Sequence, residues 1–252
     1  MTPDSLGWAV EEACFNGFPG LRQMMCGGWL VRVSGSTRRT ANSATALPGH
    51  DGSDEVIAAI EAVYRRHGQP AIFRIPSYIE PDVDRRLAER GYSDEGHSRV
   101  IHGDIGSVAD AAAPSGVTLS AEPSAAWFAA MRRLQGQDEA AHASYRRVLG
   151  SILLPARFAV DEGDAAMAFG VIHRGLLCYE SVVTDPARRR CGHARRVLAA
   201  LARWARENGA HGACLQVEVG NAAGRALYDA VGMTTGLHRY HYRREPAPCL
   251  NQ

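Results

Sequence analysis

The chain has 252 residues, enough for one or two globular domains with a substantial buried core. Its 28 basic and 27 acidic residues leave a net charge of +1, which excludes a global electrostatic attraction to nucleic acid or anionic membranes. A hydrophobic fraction of 46% and a charged fraction of 22% are typical of soluble globular proteins. Any anion binding must therefore depend on a local feature of the sequence.

The cysteines contain no C-x-x-C pair, so neither a zinc site nor a disulfide framework is predicted. They are Cys14, Cys26, Cys178, Cys191, Cys214 and Cys249. The segment from Met1 to Glu12 lacks a basic flank followed by an apolar stretch, and no run approaches the roughly 18 apolar residues of a membrane span. We therefore expect a soluble cytoplasmic protein with reduced thiols and without a signal peptide. No metal, membrane or nucleic-acid partner is expected.

The N-terminal part of the chain predicts a small α/β unit. In chain order we expect a strand at 28–33, a polar loop at 34–52, a helix at 53–67, a strand at 71–75 and a helix at 82–90. A weakly patterned stretch follows, interrupted by Gly103, Gly106, Pro114 and Gly116. This interruption predicts a boundary between a domain 1–112 and a domain 113–252.

The C-terminal part predicts a mixed sheet flanked by helices. The expected elements are helices at 124–134 and 139–149, strands at 157–160, 165–173 and 176–184, a helix at 192–208, a strand at 213–219, a helix at 222–231 and a strand at 238–243. Gly163 and Gly175 mark tight reversals, so the first three strands should form an antiparallel meander. Segments 71–92 and 213–233 share one strand–turn–helix plan, which indicates either a duplicated fold with a degenerate first copy or chance similarity.

The run 182–194 is the segment that best predicts chemistry. A strand ends at Thr184, Pro186 turns the chain, and arginines lead into a helix that begins near Gly192. The first turn of a helix has free backbone N–H groups and a positive dipole end, and Gly192 lets a phosphate approach closely. Arg189 and Arg190 each offer a charge-assisted bond of roughly 1.5–3 kcal/mol. The pattern predicts a pyrophosphate site; the alternative is a solvated basic loop before an amphipathic helix.

Two motifs in this part resemble the GNAT superfamily of acyl-CoA N-acyltransferases. Its Arg/Gln-x-x-Gly-x-Gly/Ala loop is similar to Arg189-x-x-Gly192-x-Ala194. Its second signature is similar to the strand 215–219, Asn221, the helix residues Leu227 and Tyr228, and Gly232. The resemblance covers residues 117–245 and implies a GNAT-type, mostly antiparallel mixed sheet flanked by helices. The first half resembles a degenerate copy in tandem GNAT proteins, through Trp29, Arg32, Thr37, Arg38, Arg39, Asn42 and Ser43.

The resemblance implies acetyl-CoA as acyl donor, without a metal, and a set of binding residues. By this resemblance, backbone groups of the strand that ends at Thr184 pair with pantetheine, and the loop that follows it surrounds the pyrophosphate. These residues are Val182, Val183, Thr184, Arg189, Arg190, Gly192, His193, Ala194, Arg195 and Asn221. Asn221 can bond pantetheine or cap the next helix. Cys191 is expected to be a bystander.

Three residues are candidates for catalytic roles. Tyr228 would protonate the leaving thiolate, and the alternative is a core tyrosine. Glu180 and Glu218 interrupt otherwise apolar strands and are the candidates to take the proton of the ammonium acceptor; each is otherwise a solvent-facing or salt-bridged residue. The resemblance implies a chain of water molecules as the alternative to either carboxylate. The histidines, among them His238 and His241, are predicted to be scattered over the surface.

The predicted function is direct transfer of an acetyl group from acetyl-CoA to a primary amine in a ternary complex. One alternative is a non-catalytic acyl-CoA sensor or scaffold. Another is a regulatory or protein-binding role for the first half, with Arg38, Arg39 and Asn42 on an exposed loop. The sequence identifies neither the acceptor nor the oligomeric state.

Overall fold

The computed structural model describes residues 5–35, 38–113 and 115–246. Thr37, Pro114 and Cys249, which enter the sequence predictions, lie outside these residues. The helices are Ser5–Gly17 (α1), Asp54–Arg66 (α2), Asp82–Glu89 (α3), Ile105–Ala109 (α4), Ala125–Gln135 (α5), Glu139–Leu149 (α6), His193–Glu207 (α7) and Ala222–Ala230 (α8). No helix in the described part of the chain is long and apolar enough to cross a membrane.

The strands form one continuous mixed sheet. They are Gln23–Cys26 (β1), Trp29–Arg32 (β2), Ala44–Ala46 (β3), Ile72–Pro76 (β4), Ser93–Asp104 (β5), Val117–Ser120 (β6), Ala156–Asp161 (β7), Ala166–His173 (β8), Leu176–Thr184 (β9), Gly212–Glu218 (β10) and Thr235–Arg244 (β11). Their order in the sheet is β1-β2-β3-β4-β11-β5-β10-β9-β8-β7-β6. The predicted fold class is confirmed: most neighbours pair antiparallel, and helices flank the sheet.

The two halves exchange strands in the middle of this sheet. β11, the last strand, lies between β4 and β5, and β5 lies between β11 and β10. The helix α1 from the first half also packs on β8 and β9 of the second. The division into domains 1–112 and 113–252 remains a prediction, and hydrogen bonding in the sheet crosses it. The stretch 103–118 is more regular than predicted, since it contains the end of β5, α4 and the start of β6.

A buried ion pair fixes α1 to the sheet. Arg74 of β4 donates two hydrogen bonds, of 2.9 and 2.8 Å, to the Glu11 carboxylate, and both side chains are fully buried. His238 of β11 bonds the same carboxylate and is itself buried, so its predicted surface position is wrong. Against the opposing effect of burial, Arg74 and His238 lower the pKa of Glu11 to about 2. These long-range partners allow a carboxylate on the buried face of a helix.

The C-terminal core follows the predicted amphipathic pattern. The buried face of α7, with Val197, Leu198, Leu201 and Trp204, packs on the sheet beside Leu177 and Leu215. The antiparallel meander β7-β8-β9 is confirmed. Residues 34–52, predicted as a polar loop, contain a 3-10 turn at Arg39–Ala41 and the strand β3. This core supports the two strands, β9 and β10, that form the candidate site.

Candidate active site

The parallel strands β9 and β10 separate and leave a gap in the sheet. Their pairing covers three register positions and ends where Cys178 lies opposite Cys214. β9 is also distorted by a bulge, since Ser181 and Val182 together oppose Ala168 of β8, and Ser181 has a φ of +54°. Tyr145 of α6 supports the bulge by donating a 3.0 Å hydrogen bond to Ser181 Oγ. The gap leaves backbone groups of β9 beyond Cys178 unpaired on this side.

A cleft of about 580 Å³ opens on one side of the gap, between β9, the start of α7 and α8. It brings together all ten residues predicted to bind acetyl-CoA, from Val182 to Arg195 and Asn221. Tyr228 also lines it. We call it the donor cleft. Its lining combines strand backbone with a helix N-terminus, as predicted for the run 182–194.

The N-terminus of α7 is open at the donor cleft. Gly192 is its N-cap, with φ of +79°, and no side chain caps the helix. Helices α2, α5, α6 and α8, by contrast, are capped by Ser53, Ser124, Asp138 and Asn221. The first-turn N–H groups of α7 therefore remain available to an anion. The side chains of Arg189, Arg190 and Arg195 form no hydrogen bond or ion pair with another described residue, so their charges are available as well.

Asp161 at the end of β7 holds the start of α7 in place. Its buried carboxylate is 2.9 Å from His193 Nδ1 and accepts a 2.9 Å bond from Arg196 Nη2. Nδ1 of the His193 ring is therefore engaged with Asp161. Arg188 donates to the carbonyl oxygens of Glu162 and Gly163. Asp161 is not predictable from the sequence, because nothing near it indicates a partner 32 residues away.

A second cavity, of about 600 Å³, lies on the other side of the gap. It shares Val182, Val183, Asn221 and Tyr228 with the donor cleft, so the two spaces meet at these residues. We call it the acceptor cavity. Its other walls carry Glu180, Glu218, Gln216, Gln135, Ser98, Tyr179, Tyr240 and Tyr242. The lining is rich in hydroxyl, amide and charged groups, which suit a polar ligand.

Residues 38–40, here called the strap, cross the acceptor cavity. Arg38 Nη2 donates a 2.6 Å bond to Gln135 Oε1 at the end of α5, and Arg39 Nη2 is 2.8 Å from Glu218 Oε1 at the end of β10. The Arg38 guanidinium also lies over the rings of Phe18 and Tyr145. The predicted exposed, protein-binding loop is therefore wrong in geometry. Arg38 and Arg39 are half-buried, and buried Asn42 accepts a bond from Ser34 N.

The two candidate bases differ in their surroundings. Burial raises the pKa of Glu180 to about 8, against the opposing effects of Arg38 and of Cys178 Sγ, which is 3.9 Å from Glu180 Oε1. The Glu218 side chain is 60% exposed and paired with Arg39 at the cavity rim. The salt-bridge alternative for Glu218 is therefore observed. Glu180 is the better placed of the two to hold a proton near neutral pH.

Tyr228 lies where the two spaces meet. Its side chain is buried, and its hydroxyl has no hydrogen-bond partner among the described residues. Burial, followed by the neighbouring charge of Glu180, raises the pKa of Tyr228 far above that of a free phenol. Asn221 caps α8 by accepting a 2.8 Å bond from Gly224 N, so its capping alternative is observed. The arrangement puts one protonated phenol and one carboxyl of raised pKa at the same gap.

Known proteins are similar to this chain in sequence and in fold. Residues 8–243 match the family described as "Probable histone acetyltransferase Rv0428c C-terminal". The "Uncharacterized N-acetyltransferase YobR" of Bacillus subtilis (strain 168) is 25% identical over 241 residues, 93% of this chain and 96% of that protein.

Two solved structures share the fold across both halves. A GCN5-related N-acetyltransferase from Kribbella flavida has a TM-score of 0.66 at 18% identity and covers 97% of this chain and 96% of its own. A tandem GNAT protein from the clavulanic acid biosynthesis pathway has a TM-score of 0.62 at 13% identity, with 94% and 88% covered. The likeness therefore extends beyond the C-terminal motifs to the first half.

Proposed function

Because the chain belongs to this GNAT acetyltransferase family, we propose that it transfers an acetyl group from acetyl-CoA directly to a primary amine in a ternary complex. The observation that carries the proposal is the junction of the donor cleft and the acceptor cavity at Val182, Val183, Asn221 and Tyr228. A thioester held on one side and an amine held on the other would meet at this junction. Holding two reactants in one geometry is itself a large part of such catalysis.

The donor cleft suits acetyl-CoA in charge and in shape. Free N–H groups of Gly192, His193 and Ala194, with the guanidinium groups of Arg189 and Arg190, would hold the pyrophosphate. Backbone groups of Val182–Thr184, unpaired beyond the separation of the strands, would hydrogen-bond the amides of the pantetheine arm. The thioester would then lie near the Tyr228 hydroxyl.

The chemical step needs three proton transfers, two away from the amine nitrogen and one to the leaving sulfur. The acceptor ammonium loses a proton, for which Glu180 in its ionised form is the proposed base, directly or through water. The amine nitrogen then attacks the thioester carbonyl carbon and loses its second proton to solvent, from which the Tyr228 phenol is later restored; the tetrahedral intermediate collapses, and the C–S bond breaks. Tyr228, which keeps its proton because its pKa is raised, would protonate the leaving thiolate. The products are an amide and free coenzyme A.

The acceptor is proposed to be a slender polar amine. The strap bridges Gln135 and Glu218 across the cavity, so an amine must enter past Arg38 and Arg39. The name of the matched family refers to histones, whose acceptor group would be a lysine amine on a flexible side chain, and such a chain fits this description. Small amines of the same shape fit equally.

An assay of coenzyme A thiol release tests the proposal. Acetyl-CoA is supplied with a panel of amino sugars, polyamines, amino acids and a lysine peptide of histone type, and the acetylated amine is identified by mass spectrometry. We expect amine-dependent thiol release with at least one class and one acetyl group on its amine. Tight acetyl-CoA binding without thiol release for every class would instead support the sensor alternative and contradict catalysis.

A further inference from the structure

Three side chains that ligate metals meet at the seam between β5 and β11, and none lines either cleft. Asp94 and His97 belong to β5 and His241 to β11, its antiparallel neighbour. One nitrogen of each imidazole and one oxygen of Asp94 all lie within 4.8 Å of one another. The two rings stack with centroids 5.2 Å apart. Spacing along the sequence predicts no such site, because the carboxylate comes from a strand about 150 residues away from His241.

The ligand set suits a divalent cation of intermediate softness. Imidazole and carboxylate ligands together are typical of zinc and its transition-metal neighbours. His97 Nε2 is 2.8 Å from Asp94 Oδ1, and a tetrahedral cation with bonds of about 2.0–2.2 Å would hold the same atoms roughly 3.3 Å apart. That change is a fraction of an ångström. The side chains of Asp94 and His97 are 44% and 58% exposed, so they can rotate and ions can reach them.

A further carboxylate already orients His241. Its Nε2 is 2.8 Å from Asp84 Oδ1, and Asp84 is fixed in turn by two hydrogen bonds from Arg243. An ionised carboxylate only accepts, so Nε2 carries the hydrogen and the lone pair of Nδ1 remains available. Metal-binding histidines commonly donate their other N–H to a carboxylate in this way. Asp84 comes from α3, so three elements contribute to the arrangement.

We propose that Asp94, His97 and His241 bind one divalent transition-metal cation, with Zn²⁺ as the representative ion and Asp84 as the residue that orients His241. The cation would bridge β5 and β11, the strands exchanged between the two halves of the chain. Because an ion bound only to the folded state stabilises that state, zinc should raise the thermal midpoint of unfolding. The site is independent of acetyl transfer and does not require the proposed function to hold.

Calorimetric titration of tag-free, chelator-treated full-length protein with zinc chloride tests the site. We expect one ion per chain, no binding of Mg²⁺, which prefers oxygen ligands, and at least tenfold weaker zinc binding in His97→Ala and His241→Ala. Asp84→Asn retains all three ligands and should still weaken binding by about 10–100-fold. His67→Ala removes an exposed histidine at the end of α2 and serves as the control with unchanged affinity.

Two results would overturn the site. One is the absence of zinc binding at millimolar concentration by protein that circular dichroism shows to be folded. The other is stoichiometric binding that His241→Ala and Asp94→Asn leave unchanged, which would move the ion to another group, such as a thiol. Because Asp94 and His97 are on the surface, His97→Gln offers a variant that tests binding without disturbing the core.

Discussion

The donor cleft and the acceptor cavity share one wall but are built in opposite ways. The donor cleft is lined by residues 182–195 and 221–230, two short stretches of the second half, and it uses backbone groups and a helix end. The acceptor cavity takes its lining from β5, β9, β10, β11, α5 and the strap, and it uses side chains. The first cleft is therefore a local property of the sequence, whereas the second depends on tertiary contacts such as Arg38 with Gln135, 97 residues apart.

This difference corresponds to the two proposed substrates, acetyl-CoA in the donor cleft and a particular amine in the acceptor cavity. Backbone N–H groups bind a diphosphate without regard to which side chains surround them, so a short motif suffices. Selection of one amine needs polar side chains at fixed positions, and here they come from both halves of the chain. We therefore expect variants of the donor cleft outside the shared wall to alter acetyl-CoA binding alone, and variants of the strap to alter acceptor use alone.

The largest expected effect is at Tyr228, where both spaces meet. Tyr228→Phe removes only the hydroxyl and should lower kcat by about 10²–10⁴-fold, because the thiolate would leave unprotonated. Acetyl-CoA affinity should stay within about threefold of the parent, since the ring remains. Steady-state kinetics with the best amine of the panel, together with calorimetry, measure both quantities.

Tyr240→Phe is the matched control for Tyr228. Tyr240 lines only the acceptor cavity, and its hydroxyl bonds Gln216 Oε1 at 3.0 Å. Loss of the Tyr240 hydroxyl should change kcat far less than loss of the Tyr228 hydroxyl. Parent-like turnover in Tyr228→Phe would remove the proposed acid.

A pair of substitutions at Gly192 isolates the charge of the donor cleft. Asp and Asn have nearly the same shape and both tolerate the positive φ found here, so Gly192→Asn controls for backbone strain. Relative to Asn, Asp should weaken acetyl-CoA binding on the order of 100-fold, because a carboxylate would face the pyrophosphate. Equal affinities of the two variants in calorimetry would place the diphosphate elsewhere.

Removal of the Arg38 side chain from the strap tests the acceptor side of the comparison. Arg38→Ala removes the bond to Gln135 and the contacts with Phe18 and Tyr145, and it should raise the KM for the amine about tenfold. Acetyl-CoA affinity should not change. Arg65→Ala, on the exposed face of α2, is the control. An effect of Arg38→Ala on acetyl-CoA binding instead would contradict the separation of the two spaces.

The smallest expected effect is a pH dependence of stability at Glu180. Its folded-state pKa of about 8 lies above the ordinary value of 4.5, so the folded state binds the extra proton between these values. The groups that face it are Arg38, Cys14, Cys178, Cys214, Tyr145 and Tyr228. The stability linked to this proton is fully present below about pH 4.5 and is lost as the pH rises through 8.

Glu180→Gln should abolish this dependence. The free energy of unfolding of the parent minus that of Glu180→Gln should fall between pH 5 and 8, by at most about 1.4 kcal/mol per pH unit. Urea unfolding at a series of pH values measures it, with Glu218→Gln as the comparison. A difference that does not vary with pH would show that Glu180 is ionised throughout this range.

The sequence predicts the local elements of the fold well and its long-range elements poorly. Helices α2, α3, α5, α6, α7 and α8 follow their apolar periodicity, so the prediction and the structure agree on them. By contrast, α1 was missed because Glu11 interrupts its apolar face, and only Arg74 and His238, far along the chain, make that carboxylate acceptable. The strand β5 was missed because its Gly96 and charged residues indicate a loop, until β10 and β11 pair with it on both sides.

The same distinction holds for the candidate site. The residues predicted for acetyl-CoA binding do lie in one cleft, because they are close together in the sequence. The strap and Asp161 carry no local signal, since each acts on partners that the fold brings near. Only the resemblance to tandem GNAT proteins around Arg38 and Arg39 pointed to that segment, and the exposed position expected for it was wrong.

Hydrogen–deuterium exchange with and without coenzyme A tests whether the nucleotide binds in the donor cleft. We expect protection on binding in two segments, residues 182–184 and the loop and first turn at 189–195, with little change in the strap at 38–40. Protection confined to the strap, or unchanged exchange at the start of α7 under saturating coenzyme A, would contradict binding in the donor cleft.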